Sequence, residues 1–459
     1  MTIETLTIGL FFDGTGNNAF NTDLGRSHPS ATDSVSYGND HSNIYRLYQR
    51  YQKGQSRINP TLWQTAIYIE GIGTAKGQPD RTIPDMAFGT GEQGVIAKVQ
   101  QSLQQIRQTL AAALGKDNFG DIKAIKFDIF GFSRGAAAAR HLANLLHQDA
   151  CNSQANASAY LNLPDSAHLV YSIRFMGLFD TVAAIALPVN GMSSRCQQNG
   201  ELMLNLPINI ASRVFHLVAE HECRYNFPLS SVKPYYTDFY LPGTHSDIGG
   251  GYQDNELEDK LLSQPAYNTV SDSSEPEQTR IYQQTVQEKS LLESHTLWGP
   301  VFRQAEMSIY HWQRPAPENK RVGMMKQVAT AVRLRRQVRN SWAYVSLSIM
   351  LDAAAEAGCE IDPHNINNKI PASLTAIVEK LGVNSRALRK GTTEASTLSP
   401  QECDIISRDF IHCSAHWNEV IKTSMADEPE QLAWPVAPLK HINFLHRPDD
   451  HWQRETLIY

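Results

Sequence analysis

The chain has 459 residues, a length that allows up to about three domains. Lys plus Arg is 41 against 47 for Asp plus Glu, and the resulting net charge of −6 excludes the strongly basic footprint of a general nucleic-acid binder. At 41% hydrophobic and 19% charged residues, the composition is that of a folded chain with a core rather than a disordered one.

Met1-Thr2-Ile3-Glu4-Thr5 is acidic and lacks the basic start of a signal peptide, so the chain is expected to be made in the cytoplasm. Its most apolar run, around Trp342–Leu351, is too short for a bilayer, which needs ~20 apolar residues. The six cysteines form no CxxC pair, and reduced thiols are the expectation.

Leu6–Phe12 reads as a buried strand ending in the turn Asp13-Gly14-Thr15-Gly16-Asn17-Asn18. His41–Tyr51 reads as a helix and Ala66–Ile69 as a second strand closed by Gly71-Ile72-Gly73. Val95, Val99, Leu103, Ile106 and Leu110 recur every three or four residues and mark one face of a helix. Ile122–Phe130 is a third strand, followed by an alanine-rich helix over Gly135–Leu146. Ser172–Phe179 and Tyr235–Leu241 are further strands, with a helix expected around Ala211–Glu220 between them. Strands alternating with helices predict a mostly parallel sheet covered by helices on both faces.

After Tyr252 the pattern changes. Gln253–Val286 is polar and acidic and reads as a long loop or boundary, and from Gln287 onward the pattern reads as largely helical. The predicted organisation is therefore a catalytic core over 1–252, a boundary over 253–286 and a helical region over 287–459. Arg314–Arg339 carries eight basic residues against the single acid Glu318, and reads as a solvated helical face or a patch toward anionic lipid or a partner.

One motif carries chemistry. The strand Ile122–Phe130 runs through Gly131-Phe132-Ser133-Arg134-Gly135 directly into a helix, which is G-x-S-x-G in the strand–turn–helix setting that presents a nucleophile. The N–H of Arg134, at the helix start, is a candidate oxyanion donor. A serine needs a base, and the base an orienting acid. In an α/β-hydrolase they follow in the order serine, acid, histidine. Asp180 ends the strand Arg174–Phe179, and His245 lies in the glycine-rich loop Pro242–Tyr252. Asp247 is the second candidate for the acid. His141, His216 and His221 are read as helical and less well placed, and His412 and His416 as two helical histidines with no acidic ligand at matching spacing. Gly89-Thr90-Gly91-Glu92-Gln93-Gly94 matches a dinucleotide G-x-G-x-x-G but follows a poor strand. Phe11-Phe12-Asp13-Gly14-Thr15 lacks the nucleophilic carboxylate of an aspartyl phosphatase, and Asp13, Gly14 and Thr15 are read instead as the turn giving the second oxyanion N–H.

Six blocks then stand in one order: Phe12–Asn17, Ser42–Leu47, Glu70–Thr74, Gly131–Ala136, Gly177–Val182 and Pro242–Tyr252. Together they resemble the GxSxG-type phospholipase effectors of bacterial type VI secretion, a family of α/β-hydrolase domains. The resemblance implies a Ser133–Asp180–His245 triad, a phospholipase A acting on membrane glycerophospholipids without a cofactor or metal, and delivery by contact-dependent injection into a target cell's periplasm. It further implies a secretion spike or tube component and a cognate immunity protein as partners. An esterase on other esters, or an idle hydrolase-fold binding module, are the alternatives. A phospholipase also needs an apolar wall for its acyl chain. Trp342–Leu351 is a candidate cover, against the plainer reading of a buried structural helix.

Overall fold

The computed structural model describes residues 2–28, 34–80, 94–114, 122–152, 160–161, 170–183, 202–319, 321, 323–364, 366–392, 397–418 and 444–459. The dinucleotide-like motif lies outside these residues except for Gly94. Among the described residues, eight strands precede Tyr252: β1 (Thr5–Phe12), β2 (Gly54–Gln55), β3 (Leu62–Ile69), β4 (Ala124–Phe132), β5 (Val170–Phe179), β6 (Arg213–Ala219), β7 (Leu229–Ser230) and β8 (Asp238–Leu241). Seven of them make one sheet in the order β2-β3-β1-β4-β5-β6-β8. It is parallel throughout except where β2 runs against β3.

β1 is a continuous apolar run because both faces of the sheet are covered. Its residues still alternate: Ile8, Leu10 and Phe12 enter one apolar cluster, and Phe11 the other. The first cluster is closed by the helices Val95–Leu114 and Arg134–Asn152, the second by Asn43–Arg50 and Trp342–Glu356. The mixed α/β layering read from the sequence is what forms. A buried charge interrupts the sheet at β4. Asp128, in the middle of β4, accepts from Arg174 on β5 and from the Tyr51 hydroxyl at 2.6 Å. The register shifts there, and Arg174 is the extra residue of a bulge opposite Asp128.

Four expectations change. Ala211–Glu220 is not helical: Arg213–Ala219 is strand β6, fully inside the sheet, where burial on both faces removes the alternation that marks a strand. Within Tyr235–Leu241 only β8 is extended. Residues 253–286 are not a loop throughout, because β9 (Glu256–Leu261) and β10 (Ala266–Ser271) lie within them. Residues 287–459 are only partly helical. β11 (Glu306–Asn319) and β12 (Gly323–Val338) form a long antiparallel hairpin, which β9 and β10 extend into a second sheet.

The basic stretch Arg314–Arg339 therefore falls mostly on a hairpin, not on a helical face. On β12, Val332, Leu334 and Val338 turn inward while Arg335 and Gln337 face out. The inward Arg336 stands opposite Glu258 of β9 and donates to it at 2.8 Å. The helix Trp342–Glu356 buries Trp342, Val345, Leu347, Ile349, Met350 and Leu351 in the core. No helix among the described residues is long and apolar enough to cross a membrane.

Candidate functional site

The carboxyl ends of β4, β5 and β8 meet at one edge of the sheet, where loops of an open α/β sheet form sites. Ser133 caps β4 with φ 58, a left-handed conformation that a non-glycine residue holds only under the constraint of its surroundings. Here the constraint is visible. The Ser133 N–H donates to the Phe179 carbonyl at 3.1 Å, and the Val182 N–H donates to the Ser133 carbonyl at 3.4 Å, stitching the turn to the end of β5. Gly135 makes the turn possible, since a Cβ there would lie 2.3 Å from the Asp13 carbonyl oxygen.

Asp180 follows β5 and is also left-handed, at φ 41. Its carboxylate is fully buried and accepts four hydrogen bonds. Oδ1 takes the Ala219 N–H at 2.9 Å and Arg454 Nη1 at 2.6 Å; Oδ2 takes Arg454 Nη2 at 2.9 Å and His245 Nδ1 at 2.5 Å. Burial alone would raise its pKa, but the Arg454 guanidinium and His245 outweigh burial and hold it well below the usual carboxylate range. An ionised carboxylate can only accept, so His245 carries its proton on Nδ1 and leaves Nε2 as the basic atom.

His245 opens the short helix His245–Gly249 after β8. Its ring lies against Phe132, the residue before Ser133, with centroids 4.6 Å apart, and meets the edge of Phe227 at 5.2 Å. Gly249 allows this approach, because a Cβ there would sit 2.0 Å from the Phe132 ring. Ser133 and His245 are only 4% and 5% exposed, and no hydrogen bond joins the Ser133 hydroxyl to His245 in this arrangement. Such bonds commonly tighten only when substrate is bound. Burial lowers the His245 pKa from the ordinary imidazole value, against the raising effect of Asp180.

The other predicted residues resolve differently. The Asp13 N–H donates to the Ile69 carbonyl at 2.9 Å, and the Gly14 N–H to the Asp13 carboxylate at 2.8 Å. Those two N–H groups are engaged, which leaves Thr15 and Arg134 of the expected oxyanion donors. Asp13 is instead a buried anchor, holding the Tyr68 hydroxyl at 2.6 Å, and burial pushes its carboxyl up to about 6. Asp247 bonds other groups than His245: it accepts from the Thr244 N–H at 2.8 Å in a capping box, and from His412 Nδ1 at 2.6 Å.

The other histidines weighed as candidates are engaged elsewhere. His216 is on β6, not a helix; it donates to Asp238 at 2.7 Å and accepts the Thr181 N–H at 3.0 Å, fixing the residue beside Asp180. His221 lies just past β6 and accepts the Gly243 N–H at 3.1 Å. His141 is helical as read, and accepts the Met203 N–H at 3.1 Å. His412 and His416 follow the helix Pro400–Asp409 in irregular chain, and His416 stacks on His446.

Arg454 was not legible from the sequence. It lies 274 residues from Asp180 and arrives because β13 (Thr456–Leu457) pairs with β7, while its Nε donates to the Phe227 carbonyl at 2.8 Å. Its guanidinium pairs with the Asp180 carboxylate that in turn meets His245. Arg454→Met is expected to cost about 3–5 kcal/mol of stability, the scale of breaking a buried ion pair. In the protein that remains folded, an unshielded Asp180 holds the His245 proton more tightly. The rising limb of the kcat/KM–pH profile then moves to higher pH, and Arg454→Lys moves it part of the way back. A profile that stays in place would reduce Arg454 to a packing role.

The sheet, its two covering layers and the site at its carboxyl edge define a mixed α/β protein. The Tle1-like phospholipase effector catalytic domain of the type VI secretion system matches residues 7–163 and 160–270. A solved Tle1 effector, bound to the VgrG spike of the type VI secretion system, superposes with a TM-score of 0.76 at 30% identity, covering 100% of this chain and 94% of that one. The chain belongs to the Tle1-like family of type VI secretion phospholipase effectors. An uncharacterized protein from Pseudomonas aeruginosa is more distant, with 18% identity, a TM-score of 0.40, and coverage of 88% of this chain and 53% of that one. No curated protein sequence matches.

Proposed function

We propose that the chain is a phospholipase A with an α/β-hydrolase-type site, in which Ser133 is the nucleophile, His245 the base and Asp180 the orienting acid. The observation that carries this reading is the strained Ser133 turn set beside His245, whose Nδ1 is tied to Asp180. His245 Nε2 takes the proton of Ser133 as Oγ attacks the acyl carbonyl. The tetrahedral oxyanion is held by the N–H groups of Arg134 and Thr15. As it collapses, the His245 proton passes to the departing lysophospholipid oxygen. Water, deprotonated by the same Nε2, then releases the fatty acid and restores the serine.

Chemistry in this proposal belongs to residues 1–252, and the later segments brace it: Arg454 on Asp180, and His412 on the turn that carries His245. Family membership supports delivery on a VgrG-type spike, action on the membranes of a target cell from its periplasm, and a cognate immunity protein in the producer. Product analysis tests the enzymology. Purified protein on mixed phospholipid vesicles is expected to give free fatty acid and lysophospholipid in equal amounts at early times. Diacylglycerol or phosphatidate as the product would place the cut at the phosphate and overturn the reading.

A further inference from the structure

The buried arginines of this fold are held by acceptors. Arg140 donates to the carbonyls of Leu204, Ser230 and Ser231, Arg224 to Glu222, Arg336 to Glu258 and two carbonyls, and Arg46 to Asp40 and Asn43. Arg134 differs. It is only 8% exposed, yet among the described residues its guanidinium has neither a carboxylate nor a hydrogen-bond acceptor. Its nitrogens are not among the fully enclosed, unpartnered polar atoms, so they keep access to solvent. A buried cation without a counter-charge is costly to maintain, and the cost falls away when an anion binds it.

Its place says which anion. Arg134 directly follows Ser133 and opens the helix Arg134–Asn152, whose N-terminal end adds partial positive charge. The charged neighbour that acts on it is another cation, Arg224, and burial together with that neighbour pulls its pKa down to about 10. Arg224 lies over the Phe227 ring at 3.3 Å, and that ring borders His245, so the second cation lies on the His245 side of the site. Arg224 is itself paired with Glu222, so the uncompensated positive charge is that of Arg134, next in the chain to Ser133 and close to the ester bond to be cut. A glycerophospholipid presents one fixed anion there, its phosphodiester, a few bonds along the glycerol from the acyl ester.

We propose that the Arg134 guanidinium binds the phosphodiester of the substrate and so selects phospholipids over neutral acylglycerols. This rests on the phospholipase reading above. The planar fork matches two phosphate oxygens, which a point charge does less well.

The test compares wild type, Arg134→Met and Arg134→Lys on phosphatidylglycerol and on diacylglycerol in the same detergent micelles. The quantity read is the ratio of the two kcat/KM values. In Arg134→Met the ratio is expected to fall roughly ten- to hundredfold, the scale of one hydrogen-bonded charge, with Arg134→Lys between. A ratio that stays at the wild-type value overturns the proposal while leaving the phospholipase reading intact. Wild type that cleaves diacylglycerol but not phosphatidylglycerol overturns both. A further arm needs no variant: glycerophosphoglycerol, a phosphodiester without acyl chains, is expected to inhibit wild-type diacylglycerol hydrolysis competitively and better than inorganic phosphate. Inhibition by inorganic phosphate alone would assign Arg134 to free phosphate, and inhibition by neither would remove the anion site.

Discussion

Ser133→Ala is expected to fold as wild type and to lose at least about a thousandfold in phospholipid hydrolysis, the scale of removing a nucleophile from a triad. The fold should tolerate the change because the Ser133 backbone, not its hydroxyl, makes the contacts to Phe179 and Val182 that hold the turn. Alanine is as strained as serine at φ 58, so the substitution isolates Oγ without relaxing the loop. The checks are a thermal melt coincident with wild type and a fatty-acid release assay on vesicles. The same substitution should abolish toxicity when the protein is exported by an added signal peptide into the periplasm of a cell without immunity. Near wild-type hydrolysis by folded Ser133→Ala would move the nucleophile elsewhere, and toxicity that survives it would separate killing from lipolysis.

The parts of this site that the sequence announces are those where local chain geometry and chemistry coincide. Gly131-Phe132-Ser133-Arg134-Gly135 is legible because strand, turn and helix are contiguous, and its glycine serves a close approach to Asp13 that no other residue allows. Asp180 and His245 are legible because each follows a strand of the same sheet and so arrives at the same edge. β6 is not, since a strand buried on both faces loses its alternation and a run such as Val214–Ala219 passes equally for a buried helix. The hairpin of β11 and β12 is hidden by composition: its arginines suggest a solvated face, although the inward Val332, Leu334 and Val338 keep a period of two. Engagement of the Asp13 and Gly14 N–H groups depends on Ile69 and on a side-chain rotamer, neither of which a motif contains. Arg454 is the extreme case, a contact closed only by the return of the last strand.

Asp180→Asn is expected to cost roughly ten-thousandfold in kcat, and Asp247→Asn far less, although both aspartates are buried and both bind a histidine. The difference is what each histidine is asked to do. Asp180 meets His245 Nδ1, and only an acceptor there leaves Nε2 free to take a proton. An asparagine can keep its Oδ1 on the Ala219 N–H only by turning its NH2 toward His245, which then holds its proton on Nε2 and cannot act as a base. The amide also forfeits the charge that Arg454 pairs with and that stabilises the imidazolium as Ser133 attacks. Asn is at ease in the left-handed conformation of residue 180, so backbone strain will not confound the result. Asp247 instead caps the helix that carries His245 and ties it to His412, so its substitution loosens the placement of the base without changing its tautomer. Its loss should appear mainly as a stability loss of about 1–3 kcal/mol from unsatisfied buried polar groups, read as a lower Tm, with a modest fall in kcat. The two effects separate when kcat and thermal stability are measured side by side on both variants. Were Asp247→Asn the more damaging to kcat in folded protein, the orienting acid would be Asp247, and the 2.5 Å contact between Asp180 and His245 would be a structural tie within the Arg454 clamp.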